Sequence, residues 1–556
     1  MNTGAIQHIN SRYRHQDTYI TPDGNVGIRI TVGCDIKSVV LVYNDPYFWN
    51  DGGWQSKKTE MHYVGIADGL KKFAVEVPCP TKRVKYYFLL DDGNSVVQLT
   101  EAGLTKDYSE AFLPCFFIPY VDNVAVFRQP EWVKNTVWYQ IMPARFANEA
   151  GHGTGTLKGI IAKLDYLAEL GINGLYLNPI YKAASYHKYD VIDYTEIAED
   201  LGSKKDFCDL CNAAHARGMK VMLDISLTHC SSQNLFWQDV LKNGKNSPYY
   251  QWFRVIHQGE CMEYETFAFE KSMPKFNTEK FELIVYFMNH VINYWMHNAG
   301  IDAWRIDVAN EISDRMLKNL KRTVRNNIKD GYIVGEIWHN GTEWIDTEKL
   351  DGVTNYALSR AILSFVNSPE HSMEKYQSDI NKIICAYSPE QLAGCMTLLD
   401  SHDTQRIRTT FCNDKRKFKL ALVLLMTFYG TPSLYYGTER YMAGGPDPDC
   451  RRFPDWEDDS QDVRDVYGFI QRLITLRRMH QVLANDSSLY WWDIPGVLAY
   501  ERHGKERILI IVNCNDERCF VQIPIDKGRK YQNLFNEDMV PSDTYIDPYG
   551  FMLLAI

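Results

Sequence analysis

No stretch of about 18 consecutive apolar residues occurs in this chain, so a membrane-spanning helix is not expected. Excess positive charge is missing too. The 60 Lys and Arg stand against 70 Asp and Glu, a net charge of −10, and nothing suggests a basic footprint for nucleic acid. The N-terminal MNTGAIQHINSRYRHQD lacks the apolar run of a secretory signal. Cysteine is sparse: 13 residues, an odd number, scattered along the chain. Together these absences point to a reducing cytoplasm and free thiols. The one close pair, Cys208 and Cys211, lies in KKDFCDLCNAAHARG, which reads as an amphipathic helix rather than a redox or metal motif. There is no H-E-x-x-H and no zinc ligand set. GHGTGTLKG (151–159) matches neither dinucleotide fingerprint nor P-loop, and it does not directly follow a strand. Internal repeats and low-complexity tracts are absent as well.

What is present is a large globular composition. Apolar residues make up 45%, aromatics 13%, with 35 Tyr and 13 Trp. Most will be core, but flat aromatic faces also suit the C–H surfaces of sugar rings. A length of 556 residues predicts two to four domains.

The rhythm of the chain divides it. Residues 1–125 carry short β-rich runs (VGIRITVG, SVVLVYN, KFAVEVP, VKYYFLL) broken by Gly, Pro and Asp, the pattern of a β-sandwich. From about 126 to 484, strand and helix patterns alternate. Strand candidates are 137–143, 174–179, 220–226, 301–307, 332–337, 353–356, 395–401 and 431–437. Eight such strands predict a (β/α)₈ TIM barrel in an α/β chain. Strands three and four lie more than 70 residues apart, and the first part of that gap, about 230–285, is aromatic and irregular. It reads as an excursion domain over the barrel mouth, too aromatic to be disordered. From 485 to 556 the pattern returns to β, as a second small sandwich.

Three barrel strands end in acids: IDAWRID at Asp307, YIVGE at Glu336 and MTLLDSHD at Asp403. The C-terminal strand ends form the reactive face of such a barrel. Carboxyl groups meeting there can cleave a glycosidic bond, one attacking and one donating a proton. Period two puts Arg305 on the same face as Asp307, where a cation would lower the carboxyl pKa; a plain ion pair is the alternative. Burial would raise Glu336 and suit it to general acid work, though a strand-capping glutamate is equally possible at this point. Asp224 and His229 close the third strand in DISLTHC, His402 precedes Asp403, Tyr189 follows the second strand, and Trp338 lies two residues past Glu336. Each of these is also readable as packing.

DISLTH, AWRIDVANE, GEIWHN and LLDSHDTQRI, in that order, resemble the four signature stretches of the α-amylase family, glycoside hydrolase family 13. MPKFN (273–277), the VANE ending at Glu311 and DPDCRR (447–452) are similar to its cyclomaltodextrinase, neopullulanase and maltogenic amylase branch. The resemblance implies a retaining hydrolase of α-1,4 bonds in cyclodextrins, maltooligosaccharides and, as a further candidate, pullulan. A glucan transferase and a non-catalytic glucan-binding protein are the alternatives. It implies Asp307 as nucleophile, Glu336 as acid/base and Asp403 as transition-state stabiliser, with Arg305 orienting the nucleophile. His229 and His402 would bind sugar hydroxyls, Tyr189 would stack beneath the sugar, and Asp224 would support the site. Glu311 and Trp338 would line acceptor subsites, Asp447 and Arg451 the donor side. The branch also implies a starch-binding-like N-terminal domain and a homodimer.

The chain departs from the family pattern in three places. Thr228 stands where Asn usually precedes the histidine, Ala144 replaces a usual Asp, and the loop ARFANEAGHGTGT lacks the oxygen-rich stretch that binds calcium in relatives. No metal and no required cofactor are therefore expected at those places. Ala303 for Gly beside Trp304 is a conservative change.

Overall fold

Short strands rich in β-branched and aromatic residues line up in parallel at the centre of the chain. They are β1 (Trp138–Ile141), β2 (Gly174–Leu177), β3 (Lys220–Ser226), β4 (Ala303–Asp307), β5 (Tyr332–Gly335), β6 (Gly352–Val353), β7 (Met396–Thr397) and β8 (Thr431–Tyr435). Their order is β6-β5-β4-β3-β2-β1-β8-β7, and a parallel bridge between Thr354 and Met396 joins the two ends into a barrel. This computed structural model describes the chain except residues 1–4, 11–16, 106–113, 122–125, 151–152, 259–261, 368–371, 486 and 525–527. The first two residues of the glycine-rich stretch 151–159 and the expected boundary at 125 fall outside the described residues.

Period two explains how the barrel carries a site. Trp138, Tyr176, Met222, Ala303, Tyr332, Val334 and Met396 pack together inside it. Two positions further along the same strands stand Gln140, Asn178, Asp224, Arg305 and Glu336, so an apolar floor is followed by a polar layer. The intervening residues, among them Leu175, Leu223, Trp304, Ile306 and Ile333, belong to the core shared with the surrounding helices. β6 and β7 are two residues long, shorter than the runs 353–356 and 395–401 predict. Past Thr397 the backbone leaves the ladder and is satisfied by side chains instead. Ser359 Oγ donates to the Leu398 carbonyl at 2.6 Å, and the Ser401 N–H donates to Thr404 Oγ1 at 2.9 Å.

The Cys208–Cys211 segment is the helix Lys204–Ala216, begun by a capping box between Ser203 and Asp206. Cys211 faces the core and the Cys208 thiol donates to the Asn298 carbonyl. Every cysteine among the described residues is free.

Between β3 and β4 the chain makes the helix Leu235–Asn243 and a hairpin of Val255–Gln258 with Met262–Tyr264. Bridges His229–Lys275 and Phe253–Phe276 pin it to the barrel mouth before a helix begins at Phe281. The N-terminal region is two antiparallel sheets. Val26, Ile28, Ile30 and Val32 of one interlock with Val39, Leu41, Phe88 and Leu90 of the other. Arg29 fixes this region to the barrel by donating to the Tyr387 carbonyl at 2.7 Å. The C-terminal region is a six-stranded antiparallel sheet with a separate pair, Cys519–Gln522 and Asp543–Ile546, sharing its core.

Candidate active site

At the C-terminal end of the barrel a cavity of about 440 Å³ opens. Its wall includes Tyr189, His229, Asp307, Glu336, Trp338, His402, Asp403, Asp447 and Arg451, all expected there. Asp224 and Arg305 lie just beneath, wholly buried.

Arg305 organises the floor. One guanidinium nitrogen, Nη1, donates to Asp224 at 3.0 Å and to Asp307 Oδ1 at 2.7 Å. The other, Nη2, lies 3.0 Å from Glu336 Oε2. Three carboxyl groups thus converge on one cation. Burial pushes the Asp307 carboxyl well above the usual carboxylate range; Arg305 opposes this, while Glu336 and Asp224 add to it. This corrects the expectation that Arg305 leaves Asp307 lowered. The loss of water around a buried acid outweighs one cation that is shared three ways.

Glu336 is placed by a tight crossing. A side chain at Gly335 would meet Leu350 at 2.5 Å and Ala309 at 2.8 Å, so only glycine lets β5 approach the turn after β4. That turn holds Val308 at φ 45°, a left-handed conformation costly for a β-branched residue. The strained N–H donates to Glu336 Oε2 at 3.1 Å. Trp338 Nε1 donates to the other oxygen, Oε1, at 3.0 Å.

Asp403 accepts from Arg451 Nη2 at 3.0 Å and lies 3.1 Å from His402 Nε2. Burial raises its carboxyl against Arg305 and Arg451. Gln140 donates to His402 Nδ1 at 2.7 Å, which places the ring proton on Nε2. Tyr189 stacks on that ring at 5.5 Å, and its hydroxyl donates to Asp224 at 2.7 Å. Burial holds His402 well below the ordinary histidine range.

His229 is buried, and its Nδ1 meets the Thr228 hydroxyl at 2.8 Å. Nε2 has no partner. Thr228 therefore serves this ring. Burial lowers the His229 pKa to about 3. The sign follows directly: between pH 6.5 and 3 the unfolded chain binds a proton that the folded site refuses, so stability falls with pH. From pH 7 to 5 the native protein is expected to lose about 2 kcal/mol more than His229→Gln does. Urea unfolding of both proteins at the two pH values measures this; equal losses would contradict it.

Glu311 is not on the cavity wall. Its carboxylate pairs with Lys275 of the excursion at 2.8 Å, a long-range partner. The cavity also includes His187, Phe267, Met273, Val308 and Asn310, which sequence reasoning did not single out. Asn310, next to Glu311 in the AWRIDVANE stretch, was within reach of it; the rest sit in loops without a periodic signal. Phe267 stacks on His229 at 4.5 Å.

In the loop after β1, Asn148 accepts from the Ala150 N–H at 2.7 Å and Glu149 accepts from Thr156 Oγ1 at 2.6 Å. Both side chains are engaged within the loop. Among the described residues, no three His, Cys, Asp or Glu side chains gather to hold a metal ion. No helix among them is long and apolar enough to cross a membrane.

Residues 140–459 match the family described as alpha amylase, catalytic domain, and residues 1–122 match alpha amylase, N-terminal ig-like domain. The chain is 36% identical over 558 residues to a cyclomaltodextrinase of Geobacillus thermopakistaniensis (strain MAS1), covering 94% of each. It is 33% identical over 574 residues to an intracellular maltogenic amylase of Bacillus subtilis (strain 168), covering 97% of each. A solved cyclomaltodextrinase structure superposes with a TM-score of 0.92 at 31% identity, over 100% of both chains. With the barrel, the three strand-end acids and these likenesses together, the chain belongs to the α-amylase family of glycoside hydrolases and is an enzyme of that family.

Proposed function

We propose that the protein hydrolyses α-1,4-glucosidic bonds of cyclodextrins, maltooligosaccharides and pullulan with retention of configuration. The observation that carries this is Arg305, whose two nitrogens reach Asp307 at 2.7 Å and Glu336 at 3.0 Å. Two carboxyl groups on one guanidinium suit the separation of about 5 to 5.5 Å that retention requires.

In the first step an Asp307 oxygen bonds to the anomeric carbon as the bond to the glycosidic oxygen breaks. Glu336 gives its proton to that oxygen. In the second step water loses a proton to Glu336, its oxygen bonds to the same carbon, and Asp307 leaves. Two inversions give net retention. Asp403 faces the developing positive charge and accepts from ring hydroxyls. His402 and His229, whose Nε2 has no hydrogen-bond partner among the described residues, bind hydroxyls of the same sugar, and Tyr189 forms its floor. Asp224 holds Tyr189 and Arg305 in place. Trp338 lines the acceptor side, Asp447 and Arg451 the donor side. Glu311 acts on the acceptor side through its pairing with Lys275.

The enzyme works without calcium, in the cytoplasm, and as a homodimer. Free thiols and a relative named as intracellular support the location. The exposed run Tyr47, Phe48 and Trp49 of the N-terminal region supports a partner surface. Sedimentation as a monomer would count against the dimer.

Transfer to a sugar acceptor shares the covalent intermediate and is the second reading, favoured by Trp338, 43% exposed on the cavity wall. Products from maltotriose decide: glucose and maltose are expected. Predominantly longer or α-1,6-linked products would replace hydrolysis by transfer.

A further inference from the structure

Trp338 does more in this site than present a wall to an acceptor sugar. Its ring stacks on Tyr356 at 3.8 Å and 7°, and its carbonyl accepts from Arg360 Nη1 at 3.2 Å. One face of the indole is therefore committed to the protein, and its edge is aimed. That edge carries Nε1, which donates to Glu336 Oε1 at 3.0 Å. The other oxygen, Oε2, accepts from the Val308 N–H and lies 3.0 Å from the Arg305 cation.

An sp² carboxyl oxygen offers two lone-pair directions. On Oε2 the strained Val308 N–H takes one, and the buried Arg305 cation 3.0 Å away disfavours a proton on that oxygen. On Oε1 the indole takes one and leaves one. The catalytic proton must therefore travel on Oε1, along the direction that the indole leaves open.

We infer that Trp338 is a positioning residue for the acid/base step: its indole N–H takes one of the two acceptor directions of Oε1, the proton-carrying oxygen of Glu336, and so fixes the direction in which that proton is delivered. This rests on Glu336 being the acid/base of the proposed reaction. Two consequences follow. A donor on Oε1 stabilises the ionised carboxylate more than the acid, because hydrogen bonds to a charged acceptor are the stronger ones. It therefore promotes proton release to a poor leaving group. It also leaves a covalent intermediate formed from an activated leaving group nearly unaffected, since that departure needs no proton.

The groups that act on Glu336 from the neighbouring elements are Arg305 and Asp307 of β4, Tyr176 of β2, His402 after β7, and Tyr356, while Asp224 of β3 shares Arg305 with it and Asp403 acts on Tyr356 beside it. None of them contacts Oε1 among the described hydrogen bonds, so removing the indole N–H changes one contact and leaves the charges in place.

The test uses the full-length enzyme. Trp338→Phe keeps an aromatic ring against Tyr356 and removes the N–H. A second variant replaces the indole N–H by sulfur (benzothienylalanine at 338), keeping shape and stacking. For both, kcat for maltotriose is expected to fall about tenfold more than kcat for an activated aryl maltoside does. The alkaline limb of kcat/KM is expected to move up by about half to one pH unit. Equal losses on the two substrates, or a rise in KM with unchanged kcat and an unmoved pH profile, would overturn the inference and leave Trp338 as a subsite wall. Glu336→Gln separates the underlying assumption. If that variant spares maltotriose as much as the aryl maltoside, the acid/base assignment itself fails, whatever Trp338 does.

Discussion

Asp307→Asn is expected to cut maltotriose turnover by roughly four orders of magnitude or more, about 5 kcal/mol of transition-state stabilisation. The amide has the size of the carboxyl but is a poor nucleophile, so the covalent step is lost while the cavity keeps its shape. The fold should survive. Arg305 still pairs with Asp224 and Glu336 after the change. One of three buried carboxyls crowded on a single cation has been neutralised, which relieves repulsion. Circular dichroism and urea unfolding are expected to match the native protein or show slightly higher stability. Native-like hydrolysis by a folded Asp307→Asn would refute the nucleophile assignment.

Arg305→Met is expected to be the most destabilising single change in the site, by about 3 to 5 kcal/mol at neutral pH. The side chain is buried, and it is the shared partner of Asp224, Asp307 and Glu336. Methionine fills most of the volume but leaves three carboxyls facing each other without a cation. The penalty should depend on pH. Asp224 and Asp307 are already pushed up by burial, with Arg305 as the largest opposing influence. Without it the folded state binds protons more readily than the unfolded chain, so its stability is fuller at low pH and is lost as pH rises. The gap between native and variant enzyme in urea unfolding should therefore narrow from pH 7 to pH 5. A gap that widened, or a variant as stable as the native chain at pH 7, would show that the guanidinium does not hold the cluster together.

The acids were legible because strand periodicity and strand ends are local features. Asp307, Glu336 and Asp403 each follow a short apolar run, and period two alone puts Arg305 beside Asp307 and in line with Asp224 across the β3–β4 ladder. The barrel, the excursion and the two flanking β regions announce themselves through changes of rhythm. What could not be read depends on contacts between distant segments. Phe267 and Met273 reach the cavity only because the excursion folds back over it, pinned by the His229–Lys275 bridge. Lys275 capturing Glu311 is a pairing of the same kind. The direction of the Asp307 pKa turned on how completely the site is buried and how many acids share Arg305. A sequence displays neither quantity. β7 is shorter than its apolar run predicts because residues past Thr397 look like strand although their backbone partners are side chains.

The central claim is that Asp307 and Glu336 act from opposite faces of one glucose unit, with Asp307 bonding to its anomeric carbon. Proton NMR of the first product released from a maltooligosaccharide, recorded before mutarotation, tests it most directly. The geometry predicts the α anomer at the new reducing end. The β anomer would mean that water attacks directly, and that the pair of carboxyls on Arg305 does not form a covalent intermediate.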